Sequence, residues 1–489
     1  MAGFRVVCSN CNEDFGENPL IGKCPFCKGK ITVEYPDEKL IRFKEALRRE
    51  VAGMWRYGDY LPVNSRTPVS LGEGFTPLQR GRWLPEILGI KNLLFKDETR
   101  NPTGSFLDRG SSIVVTSLVE RGVSWFCSPA KGNLGASLAA YAAKAGVRYT
   151  AYVPHGVNTG KLYQMLIYGA EVKVAGRYEE CVEKALKKGN CVLDTLPFFI
   201  EGKKTVIYEI IEQLNWKQPD VIITPAGTGA LIHSIFKGTN ELVRAGVINE
   251  IEFRIVGVQA EACPPIAKAF ERGLERVKPV KPHSTVAGDI AIGNPEYGCE
   301  ALDAVRKTGG TFVTVTDGEM LEAMRVLASK EAILAEPLSA ATVAALKKLV
   351  DIGWIDREEV VVCLITGSGL KVPKVIYKSL REARKTLKFE EEVLTYKIGR
   401  TKLILLKAIA KKPSYGYELK KRLLNEYGLN VTLPTIYTHL ADLKRWGLIE
   451  EKSLGYRGKT YYMLTEKGKR MLQVLEGLLR GEDSSAKEA

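Results

Sequence analysis

Short β-branched and aromatic runs alternate with longer amphipathic stretches through the middle of the chain. VSWFCS, RYTAYVP, EVKVAG, DVIITPAG, FRIVGVQA, TFVTVTD and EVVVCLITG each predict a strand. GASLAAYAAKAG and GALIHSIFKGTNELVRAG lie between them and carry apolar residues at helical spacing. This alternation predicts an α/β body over 36–380, with parallel sheets wrapped by helices. The length suits two subdomains with a cleft between them, and ligands favour the carboxyl ends of such strands. Beyond it the pattern changes. A highly charged stretch from Tyr377 to Gly399 predicts a bridging helix, with a linker at 381–399. Residues 400–481 predict a small separate domain: helices at 414–427 and 433–446, two strands around a turn at Gly455–Gly458, and a last helix at 465–480. The polar residues 482–489 predict a disordered tail.

The 489 residues are 45% apolar, enough for large cores and about three domains. No apolar run reaches the roughly 18 residues of a membrane span. The start, MAGFRVVC, lacks the apolar stretch of a secretory leader, so a cytoplasmic protein with no membrane partner is expected. Charge is uneven. Residues 397–480 hold 18 Lys+Arg against 7 Asp+Glu, a net +11 of the chain's +14. A compact basic module suggests a polyanion partner.

Four of the ten cysteines sit in paired spacing at the N-terminus, where Cys8-x2-Cys11 and Cys24-x2-Cys27 are separated by 12 residues. Two such knuckles present four thiolates and close a tetrahedral zinc site within a ribbon at 1–35. A closed four-thiolate site leaves no position for substrate, so its role is structural. The other six, Cys127, Cys181, Cys191, Cys263, Cys299 and Cys363, stand singly among apolar residues and read as small buried hydrophobes.

Lys96–Gly110 reads KDETRNPTGSFLDRG. It resembles the cofactor-lysine segment of pyridoxal-phosphate enzymes of the tryptophan-synthase-β type (fold type II), and most closely that of threonine synthases, where it ends NPTGSFKDRG. The resemblance extends in order through SPAKGNLGASLAAYAAKAG, Gly160–Gly176, Glu201–Trp216, TPAGTGALI, Ile290–Pro295, Ala335–Ala341 and Leu364–Pro373. Archaeal-type threonine synthases often begin with a zinc ribbon as well. The resemblance implies pyridoxal phosphate as cofactor and O-phosphohomoserine as substrate. It places Asn133 at the cofactor's phenolic oxygen and Thr366 at its ring nitrogen. It puts the phosphate cup at Gly227, Thr228, Gly229, Ala230 and Leu231. The cup is also legible in the residues themselves, since glycines after a strand and before a helix offer outward amides at a positive helix end. Ala230 and Leu231 depart from the family's glycine and polar residue, and a methyl near the phosphate is expected to weaken binding. Ser368 and Val372 replace a histidine and an acid.

The family's covalent lysine corresponds to Leu107. A primary amine holds and exchanges the cofactor's aldehyde carbon, and leucine has none. Three readings stay open here: a pseudoenzyme with the cofactor absent or held non-covalently, a relocated lysine at Lys131, or a residual activity using free amines. Lys131 also reads as a plain loop cation. Lys96 reads either as an anion-binding group or as structural. Asp108 and Arg109 read as holding their turn together, and His155 and His283 read as isolated structural histidines.

SYGYELKKRL, TLPTIYTHLADLKRWGLIEE and YRGKTYYMLTEKGKRML resemble PadR-like winged-helix DNA-binding domains. Thr432 reads as an N-cap with Pro434 in the first turn. Leu433, Ile436, Leu440 and Leu443 face a core, while Thr435, Tyr437, Thr438, His439, Lys444 and Arg445 are expected to face double-stranded DNA. Tyr456, Arg457 and Lys459 form a basic wing. Met471, Leu472, Leu475, Leu478 and Leu479 lie on one face of the last helix, which in this family pairs two chains as a homodimer. The whole chain is therefore expected to be a DNA-binding regulator responsive to an amino-acid or phospho-amino-acid ligand. The alternative is an active threonine synthase with a relocated lysine.

Overall fold

The structure is a computed structural model that describes residues 3–16, 18, 20–64, 66–384, 399–453 and 460–472. It divides into two compact units, Met1–Tyr377 and Lys378–Ala489. Among the described residues no helix is long and apolar enough to cross a membrane.

The first unit begins with an antiparallel pair, β1 (Arg5–Cys8) and β2 (Ile31–Glu34). Its inward side chains Val6, Cys8, Ile31 and Val33 are buried. The body carries two sheets. β5 (Trp125–Pro129), β6 (Arg148–Val153) and β7 (Glu171–Val174) form a parallel three-stranded sheet. The second sheet has six strands in the order β10-β9-β8-β11-β4-β3. It comprises β3 (Leu78–Arg80), β4 (Asn92–Asp97), β8 (Val221–Pro225), β9 (Arg254–Ala260), β10 (Thr311–Val315) and β11 (Val360–Ile365), all parallel except β3. The central strand β11 reads VVVCLI and is buried from Val361 to Ile365, because helices cover both faces of a parallel sheet.

Each of the seven runs predicted as strands is a strand. β3 and β4 are additional. In β4 the apolar run is only Leu93–Phe95, and the buried Lys96 and Asp97 that follow look like a polar loop in sequence. Lys96 is structural: its Nζ donates to the Thr76 carbonyl (2.7 Å), to Glu209 (2.6 Å) and to Gln213 (2.9 Å). Arg109 bridges Glu98 (2.7 Å) and Glu209 (2.5 Å), so the segment from 96 to 109 is fastened to the helix Pro197–Gln213 by buried charge. Burial alone would raise the Glu209 carboxyl, but Arg109 and Lys96 outweigh it and hold it at about 2. Asp108 accepts from the Thr103 amide (2.7 Å), Thr103 Oγ1 (2.6 Å) and Ser137 Oγ (2.6 Å), which locks the turn.

Cys127, Cys181, Cys191, Cys263 and Cys363 are buried and free. Cys299 is exposed, contrary to expectation, because it falls on the outer face of the helix Gly298–Lys307.

The second unit packs the helices Arg400–Lys411, Gly416–Tyr427 and Leu433–Arg445 against the antiparallel pair β12 (Ile449–Ser453) and β13 (Thr460–Leu464). Leu405, Leu419, Ile436, Leu440, Leu443 and Met471 form its core. Residues 385–398, the wing turn with Tyr456, Arg457 and Lys459, and everything past 472 lie outside the described residues.

Candidate functional site

The strand ends bring the predicted site residues together. β8 ends at Pro225 and delivers Gly227–Gly229. β11 ends at Ile365 and delivers Thr366. β5 ends at Pro129 and delivers Lys131–Asn133. Leu107 stands at the start of the helix Asp108–Glu120. All of these line one inner cavity of ≈ 120 Å³, together with Phe106, Tyr178, Asp194, Lys203, Asp289 and Leu338. An outer vestibule of ≈ 890 Å³ shares Lys131, Tyr178, Asp289 and Leu338 with it. Those four residues therefore mark the mouth.

The cup is built for backbone approach. Gly229 has φ +82°, and a Cβ there would sit 2.4 Å from the Tyr297 carbonyl oxygen. It precedes the helix Ala230–Arg244, whose N-terminal amides offer an anion site. Ala230 differs from expectation: it does not line the cavity, and its methyl packs with Ile200 and Tyr297. Leu231 does line it. Ile290 lies over the cup, its Cα 3.4 Å from where a Gly227 Cβ would be.

Asn133 opens the helix Asn133–Ala145 and donates its amide to Glu336, while its buried Oδ1 has no partner among the described residues. Glu336 is also paired with Lys161 (2.7 Å), which in turn holds Asp289. Thr366 Oγ1 lies 2.9 Å from Ser339 Oγ, and the Gly367 amide donates to the same Ser339 oxygen (2.8 Å). Lys131 Nζ donates to the Ala291 carbonyl (3.3 Å) and stands over the Tyr178 ring, and burial pulls its pKa below the usual lysine value. Ser368 caps a short turn by accepting from the Leu370 amide (3.3 Å). His155 is exposed and borders the outer vestibule, not the inner cavity.

The lining of this cavity suits pyridoxal phosphate in its chemistry. The glycine cradle admits a phosphate, the unpartnered Asn133 oxygen is a polar group without a match, and Thr366 offers a neutral hydroxyl. Gly227, Thr228, Gly229, Leu231, Asn133 and Thr366 are the residues that would hold it. When bound, the cofactor supplies an aldehyde that condenses with amines and a ring that withdraws electrons.

Sequence reasoning missed Lys203, Asp194, Asp289, Ile290 and Tyr178. No local pattern marked Lys203: only the fold brings the helix that carries it against the lysine-type segment.

At the N-terminus the four thiols of Cys8, Cys11, Cys24 and Cys27 lie within 4.8 Å of one another. Cys8 and Cys27 sulfurs are 3.4 Å apart, and those of Cys11 and Cys24 are 3.6 Å apart. A tetrahedral zinc thiolate site needs sulfurs about 3.8 Å apart. The amides of Asn10 and Gly29 each point at a sulfur from 3.4 Å, as thiolates require.

On the helix Leu433–Arg445, Thr435, Tyr437, Thr438, Lys444 and Arg445 are exposed. His439 is not: it is half-buried, and burial lowers its pKa. The Thr432 hydroxyl meets that of Thr435 (2.8 Å) and makes no bond to a helix amide. Lys444 pairs with Glu451 (2.5 Å) and Arg445 with Asp442 (3.3 Å). Met471 and Leu472 are buried in this unit's own core, which removes them from any face shared with a second chain.

A body of two parallel sheets with a glycine cup and a cavity at the strand ends defines an α/β protein of fold type II. The chain belongs to the pyridoxal-phosphate dependent enzyme family, whose profile matches residues 69–367. Residues 405–474 match the transcriptional regulator PadR-like family. The threonine synthase of Methanocaldococcus jannaschii is 41% identical, over 77% of this chain and 95% of its own length. That of Methanosarcina acetivorans is 39% identical, over 76% and 93%. Among solved structures, an L-serine ammonia-lyase from Rhizomucor miehei superposes with a TM-score of 0.56 at 20% identity, covering 65% of this chain and 99% of that one. Maize serine racemase gives 0.53 at 20%, covering 64% and 94%. These two speak for the fold.

Proposed function

We propose that this protein is a metabolite-responsive, DNA-binding transcription regulator built on a threonine-synthase-like body. One observation carries the reading: a hydrocarbon, Leu107, lines the cavity at the position matching the family's covalent lysine, in a chain that also holds a PadR-like winged helix. The body keeps the means to bind an amino-acid or phospho-amino-acid ligand, with the cofactor beside it. The winged helix binds duplex DNA through Thr435, Tyr437, Thr438, Lys444 and Arg445, with Arg457 and Lys459 on the wing. It acts as a homodimer. A ligand alters DNA binding only as far as it prefers one state of the chain over another.

The test is DNA affinity of the full chain with pyridoxal phosphate and a panel of amino acids and O-phosphohomoserine. A change of several-fold with at least one ligand is expected, and affinity indifferent to all of them sinks the sensor. The second reading is an active threonine synthase. The identity to the Methanocaldococcus threonine synthase over nearly its full length favours it. Threonine and phosphate formed from O-phosphohomoserine at an ordinary enzymatic rate would establish it.

A further inference from the structure

Two lysines line the inner cavity among the described residues, and they occupy different ends of it. Lys131 lies at the mouth, where it also borders the outer vestibule. Lys203 borders the inner cavity beside Phe106 and Leu107. It comes from the helix Pro197–Gln213, which lies in backbone contact with the first turn of Asp108–Glu120. A Cβ on Gly202 would fall 2.3 Å from the Arg109 carbonyl oxygen, and one on Gly110 would fall 2.0 Å from the Phe199 ring. The neighbouring helix thus carries an amine into the space that residue 107 borders.

The Lys203 stem is held in place. Its Nζ lies 5.1 Å from the Phe199 ring centre and 5.6 Å from that of Phe106. It donates to the Asp194 carbonyl (2.6 Å) and to the Asp194 carboxylate (3.2 Å). Its side chain is 1% exposed.

We propose that Lys203 is the amine that captures the aldehyde of pyridoxal phosphate in this protein, from the helix adjoining the position where Leu107 stands. The proposal rests on the reading of this cavity as a cofactor pocket. Desolvation lowers the Lys203 pKa, which makes the free amine easier to reach, and Asp194 is placed to take the proton. The step balances. The ammonium gives one proton to the Asp194 carboxylate, and the freed nitrogen attacks the aldehyde carbon. The new C–N bond forms as the C=O bond opens to a hydroxyl. That hydroxyl takes the proton back from Asp194 and leaves as water, giving a protonated C=N bond with no change of oxidation state.

The test uses the full chain with pyridoxal phosphate alone. After incubation, borohydride reduces any C=N bond to a stable amine, and peptide mapping by mass spectrometry locates it. The expected result is a label on Lys203. Lys203→Met should lose it, and Lys131→Met should keep it, with circular dichroism checking that each variant is folded. The wild-type map decides the matter even if Lys203→Met does not fold. A label on Lys131 overturns the assignment, as does cofactor bound at equilibrium without any label; both leave the pocket reading intact. Pyridoxal phosphate that fails to bind at all defeats the pocket reading and this proposal together.

Discussion

The Phe106 amide donates to the Thr366 carbonyl across 3.0 Å, so the loop that carries residue 107 is tied directly to the end of the central strand β11. The tie fixes where a side chain at 107 points relative to the hydroxyl of Thr366. Both line the same cavity. The Leu107 amide is also satisfied, by Ser105 Oγ at 3.2 Å. The backbone around the position is therefore formed without the lysine.

Leu107→Lys follows from that. Leucine and lysine have similar reach along the first carbons, and the site is 7% exposed, so the new amine enters the cavity and not solvent. Borohydride mapping in the presence of pyridoxal phosphate should then find label at position 107. Its absence there, in a folded variant that binds the cofactor, would mean the loop does not aim at the aldehyde.

The Glu209 cluster sets an acid limit. The carboxyl is held at about 2 in the fold and has an ordinary value of 4.5 when free. A depressed acid contributes stability that is complete above the unfolded value and is lost as pH falls. Unfolding followed by circular dichroism should show stability declining between pH 4.5 and about 2. Glu209→Gln leaves Lys96 and Arg109 without their shared counter-charge, and removing one partner of a buried pair costs about 3–5 kcal/mol. A variant as stable as the wild type at neutral pH would show that the cluster is not ionised as drawn.

Much of this arrangement was legible in the sequence because it is local. The CxxC pairs, the glycine cup after β8 and the strand–helix alternation are short patterns with one physical reading each. Lys203 was not, because its approach to residue 107 depends on two helices packed backbone to backbone through Gly202 and Gly110. Ala230 misled for a similar reason: its position in the cup loop was readable, but the direction of its methyl was set by Ile200 and Tyr297. His439 followed the exposed helical stripe by spacing, yet it sits partly under it, where Lys402 and Asp442 lie beside it.

The zinc ribbon is testable through Gly29. A Cβ there would meet Cys8 Sγ at 2.8 Å and Asn10 Cβ at 2.7 Å, so Gly29→Val should push the knuckles apart. Cys24→Ser removes a buried thiolate outright. Both variants should bind less than one zinc per chain by atomic absorption, and chelator should lower the wild type's melting temperature. Full-length protein purified with no zinc and indifferent to chelator would argue against a metal site.

The winged helix makes a prediction that separates reading from holding. Arg445 is exposed and pairs at 3.3 Å with Asp442, whose carboxylate also meets Lys402, so the Arg445 pair is worth little on its own. On DNA the same guanidinium can turn to a phosphate and displace a counterion. Arg445→Ala should weaken binding to all duplexes alike and reduce the salt dependence by about one charge. Thr435→Ala and Thr438→Ala remove hydroxyls that carry no net charge, so they should leave the salt slope unchanged and alter the preference among sequences. Fluorescence anisotropy across a salt series, with several duplexes, measures both quantities. If Arg445→Ala leaves the slope unchanged, or if the duplex affinity of the wild type is insensitive to salt, the exposed face of this helix does not lie against the DNA backbone.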